Sequence, residues 1–184
     1  MRREIHSSGS PQAELVARVS TGDESALEDL IARFGPEIQA VAYTITRDRE
    51  SAEDVAAATI SVAWRRLAEL RDPDRLRAWL LRIASREALG HLRRERRIRR
   101  IPHTHEATAA PADHEVLSRL AVERALALLS PRVRIVIALR YVADLSLDEV
   151  CLVTGRRRNT IKSQLRVGLR KLREAYSGAE EREL

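Results

Sequence analysis

The 184-residue chain has a single cysteine, Cys151, so no intrachain disulfide can form and a reducing compartment suits it. No window approaches 18 consecutive apolar residues, which argues against a membrane-spanning helix. The stretch from Met1 to Pro11 lacks an apolar core of the kind a signal peptide needs, and it reads as a polar, disordered tail; a cytoplasmic location is expected. There is no phosphate-cradling glycine loop, no Ser-His-Asp arrangement on ordered elements and no carboxylate pair in an apolar pocket, so an enzyme is not expected. His103, His105 and His114 have no cysteine partner and no second ligand cluster, so neither a metal nor another cofactor is expected, and nothing points to a small-molecule substrate. Aromatic residues are scarce, and glycine and proline are rare within the apolar stretches.

What remains is Ala, Leu, Arg and Glu, all good helix formers, in a chain with a net charge of +6. That balance favours a polyanionic partner, although an anionic membrane surface would also suit it. The charge is uneven: arginines crowd between Arg65 and Arg100 and again between Arg156 and Arg173, while acids collect near the two ends. Helical periodicity predicts a short helix from Gln12 to Val19, then a longer pattern through Ala26, Leu27, Leu30, Ile31 and Phe34, capped by Asp23 or Ser25. Gly35-Pro36 is expected to interrupt or kink that pattern before Ile38, Val41 and Ile45 continue it. Ser51-Ala52-Glu53-Asp54, after a polar break from Asp48, reads as a helix start, and a long arginine-rich amphipathic helix follows from Leu76 to Leu92. Trp64 and Trp79 are read as core residues rather than base-stacking platforms.

The expected fold is therefore all-α: two small helical domains, 12–98 and 116–176, joined by a flexible linker over 99–115. In the second domain Ser130-Pro131 starts a helix, Ala143-Asp144-Leu145-Ser146 turns, and Ser146 caps a short helix with Glu149 placed for a capping box. Thr154-Gly155 makes the next turn, and a last helix runs from about Arg158 to Tyr176 before an acidic tail. Capped helix, glycine turn and longer basic helix have the spacing of a DNA-reading helix-turn-helix. Leu147, Val150 and Cys151 would pack against Ile161, Leu165 and Leu169, leaving Arg157, Arg158, Asn159, Thr160, Lys162, Ser163, Gln164 and Arg166 outside. Arg pairs with guanine and Asn or Gln with adenine, while Ser, Thr and Lys meet phosphate.

These residues carry a resemblance. The stretch from Leu129-Ser130-Pro131-Arg132 to Leu139-Arg140-Tyr141, then Asp144 to Val150, Thr160-Ile161-Lys162-Ser163-Gln164-Leu165 and Leu169 to Arg173, resembles the promoter-binding domain of extracytoplasmic-function sigma factors. The first half resembles the family's other domain through Gly22-Asp23, Ser51-Ala52-Glu53-Asp54-Val55, Ala63-Trp64 and the run from Arg77 to Ala84. The resemblance implies a non-catalytic chain that directs RNA polymerase core to promoter DNA. Arg156, Arg157, Arg158, Asn159, Thr160, Lys162, Ser163, Gln164 and Arg166 would read the −35 element, and the same domain would touch the polymerase β-flap. Arg75, Arg82, Arg86, Arg93, Arg94 and Arg97 would line the −10 region, where the loop near Glu69 to Asp74 could receive a flipped base. Glu53, Asp54, Ala57, Ile60 and Ser61 would meet the β′ clamp. Family members are often held by an anti-sigma factor, which the resemblance adds as a partner without any residue identifying it.

Two departures stand out. Where the family usually has a polar pair and an aromatic after Glu-Asp-Val, this chain reads Ala56-Ala57-Ala58-Thr59-Ile60, so the polymerase contact is altered. Where it often has a small polar cap before the recognition helix, this chain has Arg156-Arg157-Arg158. The alanine stretch keeps open a sigma-like regulator that does not initiate on its own. An adaptor protein is a third reading, but it would not need the paired basic helices.

Overall fold

In the computed structural model the described residues, 10–98 and 122–180, are helical throughout with short turns and no strand. Side chains are described as far as residue 175. The expected linker, and the three histidines set aside as metal ligands, lie outside the described residues.

Helix α1 (Pro11–Ser20) is capped by the Ser10 hydroxyl, which accepts from the Ala13 N–H, so Ser10 and Pro11, expected within the polar tail, belong to the helix and its cap. Helix α2 (Glu24–Thr46) is capped by Asp23, one of the two candidates, and runs unbroken through Gly35-Pro36. The expected interruption does not occur: Ile38, Val41, Ala42 and Ile45 stay in register with Ala26, Leu30 and Phe34 on one buried stripe, and burial outweighs the missing proline N–H. Arg47, in the left-handed region, ends α2, and Asp48 immediately caps α3 (Arg49–Arg66). The helix start expected at Ser51 thus lies three residues early, because the Asp48 carboxylate accepts from the Ser51 N–H and Ser51 itself is buried. Two short 3-10 turns, Leu67–Glu69 and Pro73–Arg75, lead into α4 (Leu76–Ile98).

The second half begins with helical backbone over 122–127 (α5), followed by α6 (Pro131–Ile137). A π-helical turn, Ala138–Val142, extends α6, and Asp144 at φ +45° reverses the chain. Helix α7 (Leu147–Thr154) and helix α8 (Arg158–Glu180) complete it; α8 runs into the acidic tail expected to fray from Glu174, as far as Glu180.

The helices enclose two apolar clusters. One joins α1 to the N-terminal half of α2 and to α3 and α4, through Leu15, Leu30, Phe34, Leu67, Leu76 and Leu80. The other is shared between the two halves of the chain: Val41, Ile45, Val55 and Leu81 belong to the same cluster as Leu139, Val150 and Ile161. Residues 133–139 are all buried, the charged Arg134 included, so the stretch from α6 into the π-helical turn is covered on every side. It packs on α8 and on α2.

Close approach of α8 to α6 depends on Gly168. A Cβ there would lie 2.9 Å from Ile137 Cδ1 and 3.0 Å from both Ile137 Cγ1 and Val133 Cγ1. Gly168→Leu should therefore wedge the two helices apart and cost about 1–3 kcal/mol, read as a lower urea midpoint with unchanged slope. An unaffected midpoint would show that the packing yields freely.

Candidate nucleic-acid interface

The helix-turn-helix is built from α7, a glycine turn and α8. Ser146 accepts from the Glu149 N–H at 3.3 Å while Glu149 accepts from the Ser146 N–H at 2.8 Å, closing the capping box. These bonds hold the Glu149 carboxyl below its ordinary value. The stabilisation is therefore complete above that ordinary value and is lost as pH falls below it. Gly155, at φ +67°, ends α7 in a conformation other residues adopt at a cost, and it sets the crossing of the two helices. Val150, Val153, Ile161 and Leu165 are buried between them, with Leu147, Cys151 and Leu169 packed alongside.

Opposite that stripe, Arg157, Arg158, Asn159, Thr160, Lys162, Ser163 and Arg166 are exposed on one continuous surface of α8 and its entry. Gln164, expected to face outward, and Arg156, expected among the −35 contacts, are half-buried instead. Arg156 Nη1 donates to Gln164 Oε1 at 3.0 Å and to the Arg132 carbonyl at 3.2 Å, so its guanidinium braces the base of the helix. Burial, then the neighbouring Arg132, shift its pKa downward. Arg158 is ion-paired with Asp148 across the turn, which offsets part of the unfavourable meeting of cation and helix N-terminus. Among the described residues Arg157 has no such ion pair: it occupies the cap position, its carbonyl accepting from the Ile161 N–H at 3.1 Å.

On α4, Arg86, Arg93, Arg94 and Arg97 are exposed. Arg75 is exposed and paired with Asp72 at 2.9 Å. Arg82 stands apart from this set, because its Nη2 donates to the Leu152 carbonyl of α7. Trp79 is half-buried and packed on the N-terminal cluster, as is Trp64. Sequence reading missed Arg77, which looks like one more arginine of α4. Its guanidinium binds Glu37 through both nitrogens, Nε at 3.0 Å, and also reaches the Ala143 carbonyl. Glu37 lies forty positions away in α2, so no local pattern announced the pair.

The residues expected to meet polymerase line a groove of about 850 Å³ between α2 and α3. Glu53, Ala57, Ile60 and Ser61 border it, while Asp54 points elsewhere, beside Val55 and Glu87. The opposite wall is Leu27 and Ile31, read from sequence as core; Ile31 is 46% exposed. The small side chains of Ala56 and Ala57 leave the groove open, with Trp64 at one end. Among the described residues no group of three metal-ligating side chains comes together, and no helix is long and apolar enough to cross a membrane.

Residues 30–98 match the family model for Sigma-70 region 2, and residues 119–172 match that for Sigma-70 region 4. An ECF RNA polymerase sigma factor, SigL of Mycobacterium tuberculosis, is 32% identical over 139 residues, 72% of this chain and 78% of its own. The chain belongs to the ECF sigma factors. As a sigma factor it directs RNA polymerase to promoters. RNA polymerase sigma factor SigV of Bacillus subtilis is 26% identical over 133 residues, covering 72% of this chain and 80% of SigV. Among solved structures, CnrH in complex with the cytosolic domain of CnrY superposes with a TM-score of 0.68 at 24% identity, covering 90% of this chain and 96% of CnrH. The sigma factor RpoE, in complex with the anti-sigma factor NepR from Bartonella quintana, gives a TM-score of 0.69 at 24% identity, with 82% and 96% covered.

The two helix caps of this sigma factor's helix-turn-helix should respond oppositely. Ser146→Ala removes a working cap and should cost about 1 kcal/mol, whereas Arg157→Ser supplies a missing one and should raise the thermal midpoint. Should Arg157→Ser lower the midpoint, the arginine has a folded-state partner and is not a cap sacrificed for binding.

Proposed function

We propose that this ECF sigma factor recognises promoters at two elements, with α8 reading the −35 element in the major groove and the arginine face of α4 tracking the −10 region. The observation that carries the first assignment is the division of the first half of α8 into a buried stripe and an opposite surface of Arg, Asn, Thr, Lys and Ser from Arg158 to Arg166. Arg158, Asn159, Lys162 and Arg166 are the base-reading or phosphate-holding candidates, and Thr160 and Ser163 position the helix. Arg156 and Gln164 serve as its half-buried brace, Gln164 keeping an amide nitrogen for a base edge. In the −10 region Arg75, Arg86, Arg93, Arg94 and Arg97 follow the backbone of the strand.

The groove between α2 and α3 is the proposed seat of the polymerase β′ clamp, with Glu53 and Ser61 at its rim and Ala57 and Ile60 in its wall. A hole floored by alanines suits a partner helix that inserts a bulky apolar side chain, so the alanine stretch changes the shape of the contact rather than abolishing it. The second domain would also meet the β-flap. An anti-sigma factor is a further proposed partner, since RpoE was solved with one and CnrH with the cytosolic domain of CnrY. The chain acts in the cytoplasm, where polymerase is, and has no catalysis of its own.

Run-off transcription with core polymerase on genomic promoter fragments tests the whole reading: specific initiation is expected only when the protein is added. Lys162→Ala should weaken binding to every promoter alike and lower the salt slope by about 1, whereas Arg166→Ala, if it meets a base, should cost about 1–3 kcal/mol and relax specificity at one position. Ala57→Trp, which fills the groove from an exposed position, should weaken core-polymerase binding by about tenfold or more, or 1.4 kcal/mol, with the melting curve retained. Undiminished binding would move the polymerase seat elsewhere.

A further inference from the structure

We propose that the first turn of α1 is a positioning element for promoter recognition: Ser10 and Gln12 hold the 69–75 loop so that the Asp74 carboxylate meets the exocyclic amine of an unpaired base. The inference rests on the reading of that loop as part of the −10 region. The Pro73–Arg75 turn buries no side chain, so apolar packing does not fix where it stands. Hydrogen bonds fix it instead. Within the loop, Asp72 accepts from the Asp74 N–H at 3.2 Å and pairs with Arg75 at 2.9 Å. Among the described residues, the side-chain hydrogen bonds that reach Pro73 and Asp74 from outside the loop all come from the start of α1. The Ser10 hydroxyl donates to Asp74 Oδ1 at 2.8 Å, 64 positions away, while its oxygen accepts from the Ala13 N–H and so caps the helix. The amide nitrogen of the half-buried Gln12, oriented by its partners, donates to the Pro73 and Asp74 carbonyls at 3.2 Å each.

Those bonds are surplus to seating α1. Leu15, Val16 and Val19, farther along the helix, are buried beside Leu67 and Leu76 and anchor it. The polar first turn therefore acts on the loop. What the loop presents is an unusual charge for a surface that follows phosphates. Its other carboxylates, Glu69 and Asp72, are each paired with an arginine, Arg66 and Arg75. Among the described residues the exposed Asp74 has no cation partner: Oδ1 takes the neutral Ser10 hydroxyl, and Oδ2 makes no hydrogen bond. An open carboxylate oxygen repels a phosphate but accepts from the exocyclic amine of adenine, cytosine or guanine, which thymine lacks. By fixing Oδ1, Ser10 sets the direction of Oδ2, and an acceptor held in place rejects a base that cannot donate to it.

The test uses holoenzyme assembled from the full-length protein and core polymerase. Its target is a promoter fragment from the run-off assay whose −10 segment is a mismatched bubble randomised on one strand, and the bound fraction is sequenced. The parent should deplete thymine at one bubble position. Ser10→Asp keeps an acceptor for the Ala13 N–H, and so the cap, but cannot donate to Asp74. Gln12→Leu removes both carbonyl bonds. Each should erode that thymine depletion about threefold or more, with the preferences at the other bubble positions kept. Ser10→Thr, which both caps and donates, should retain the parent profile, and Asp74→Ala should abolish the depletion. An equal loss at every position in Ser10→Asp and Gln12→Leu would mark the two residues as merely structural and overturn the proposal, as would a profile that neither changes. Depletion that survives Asp74→Ala would overturn the contact. If the parent binds the fragment yet prefers no base anywhere in the bubble, the −10 reading of the loop fails and takes the proposal with it.

Discussion

From Val133 onward helix α6 shows no side chain to water, and its one charged residue there, Arg134, is itself buried. Residues 133–139 are buried without exception, so the helix needs apolar neighbours on both sides: α8 supplies one, through the gap left by Gly168, and α2 supplies the other. This single requirement makes the second helical unit lean on the first, brings α7 against α4, and fixes which arginines are free. An isolated helix-turn-helix with the same recognition surface would have left one side of α6 in water.

The arginines divide their labour by what surrounds them. Arg77 faces inward and links three segments; Arg82 caps a helix end in the other half; Arg156 braces α8; among the described residues no carboxylate pairs with the buried Arg134. Arg86, Arg93, Arg94 and Arg97, and the polar face of α8, are exposed. The planar guanidinium explains why arginine serves where lysine would not: its several donors allow one side chain to hold a carboxylate and a carbonyl at once, as Arg77 does. Burial first, then the nearby Arg47 and Arg96, lower the pKa of Arg134 to about 10, so it stays charged at neutral pH and its cost is not relieved by deprotonation.

Much of the local structure was legible because the signals are short-range. The capping box of Ser146 and Glu149, the Asp23 cap and the left-handed Gly155 are each decided within a few residues. Where reading failed, a longer-range term outweighed the local one. Pro36 was expected to interrupt α2 but is carried through by the buried stripe on either side of it. Ser51 looked like a cap and was pre-empted by Asp48, whose carboxylate sits one turn earlier. Ile31 has the spacing of a core residue, yet Ala56 and Ala57 across the groove are too small to cover it, and it stays half exposed.

The sequence by itself determined the helical class, the helix-turn-helix and the order of its two sigma-like halves, because periodicity, caps and motif spacing are properties of neighbouring residues. It also marked the alanine stretch as the unusual feature of α3. Tertiary structure alone decided which residues of that pattern face outward. It joined Arg77 to Glu37, turned Arg82 toward α7, drew Arg156 and Gln164 partly inside, and made the alanines the floor of a groove. The Arg77 and Arg82 contacts join segments forty or more positions apart, the Arg156 brace also reaches back twenty-four positions to Arg132, and the groove is the volume left when two helices meet; none of these is encoded at any single place along the chain.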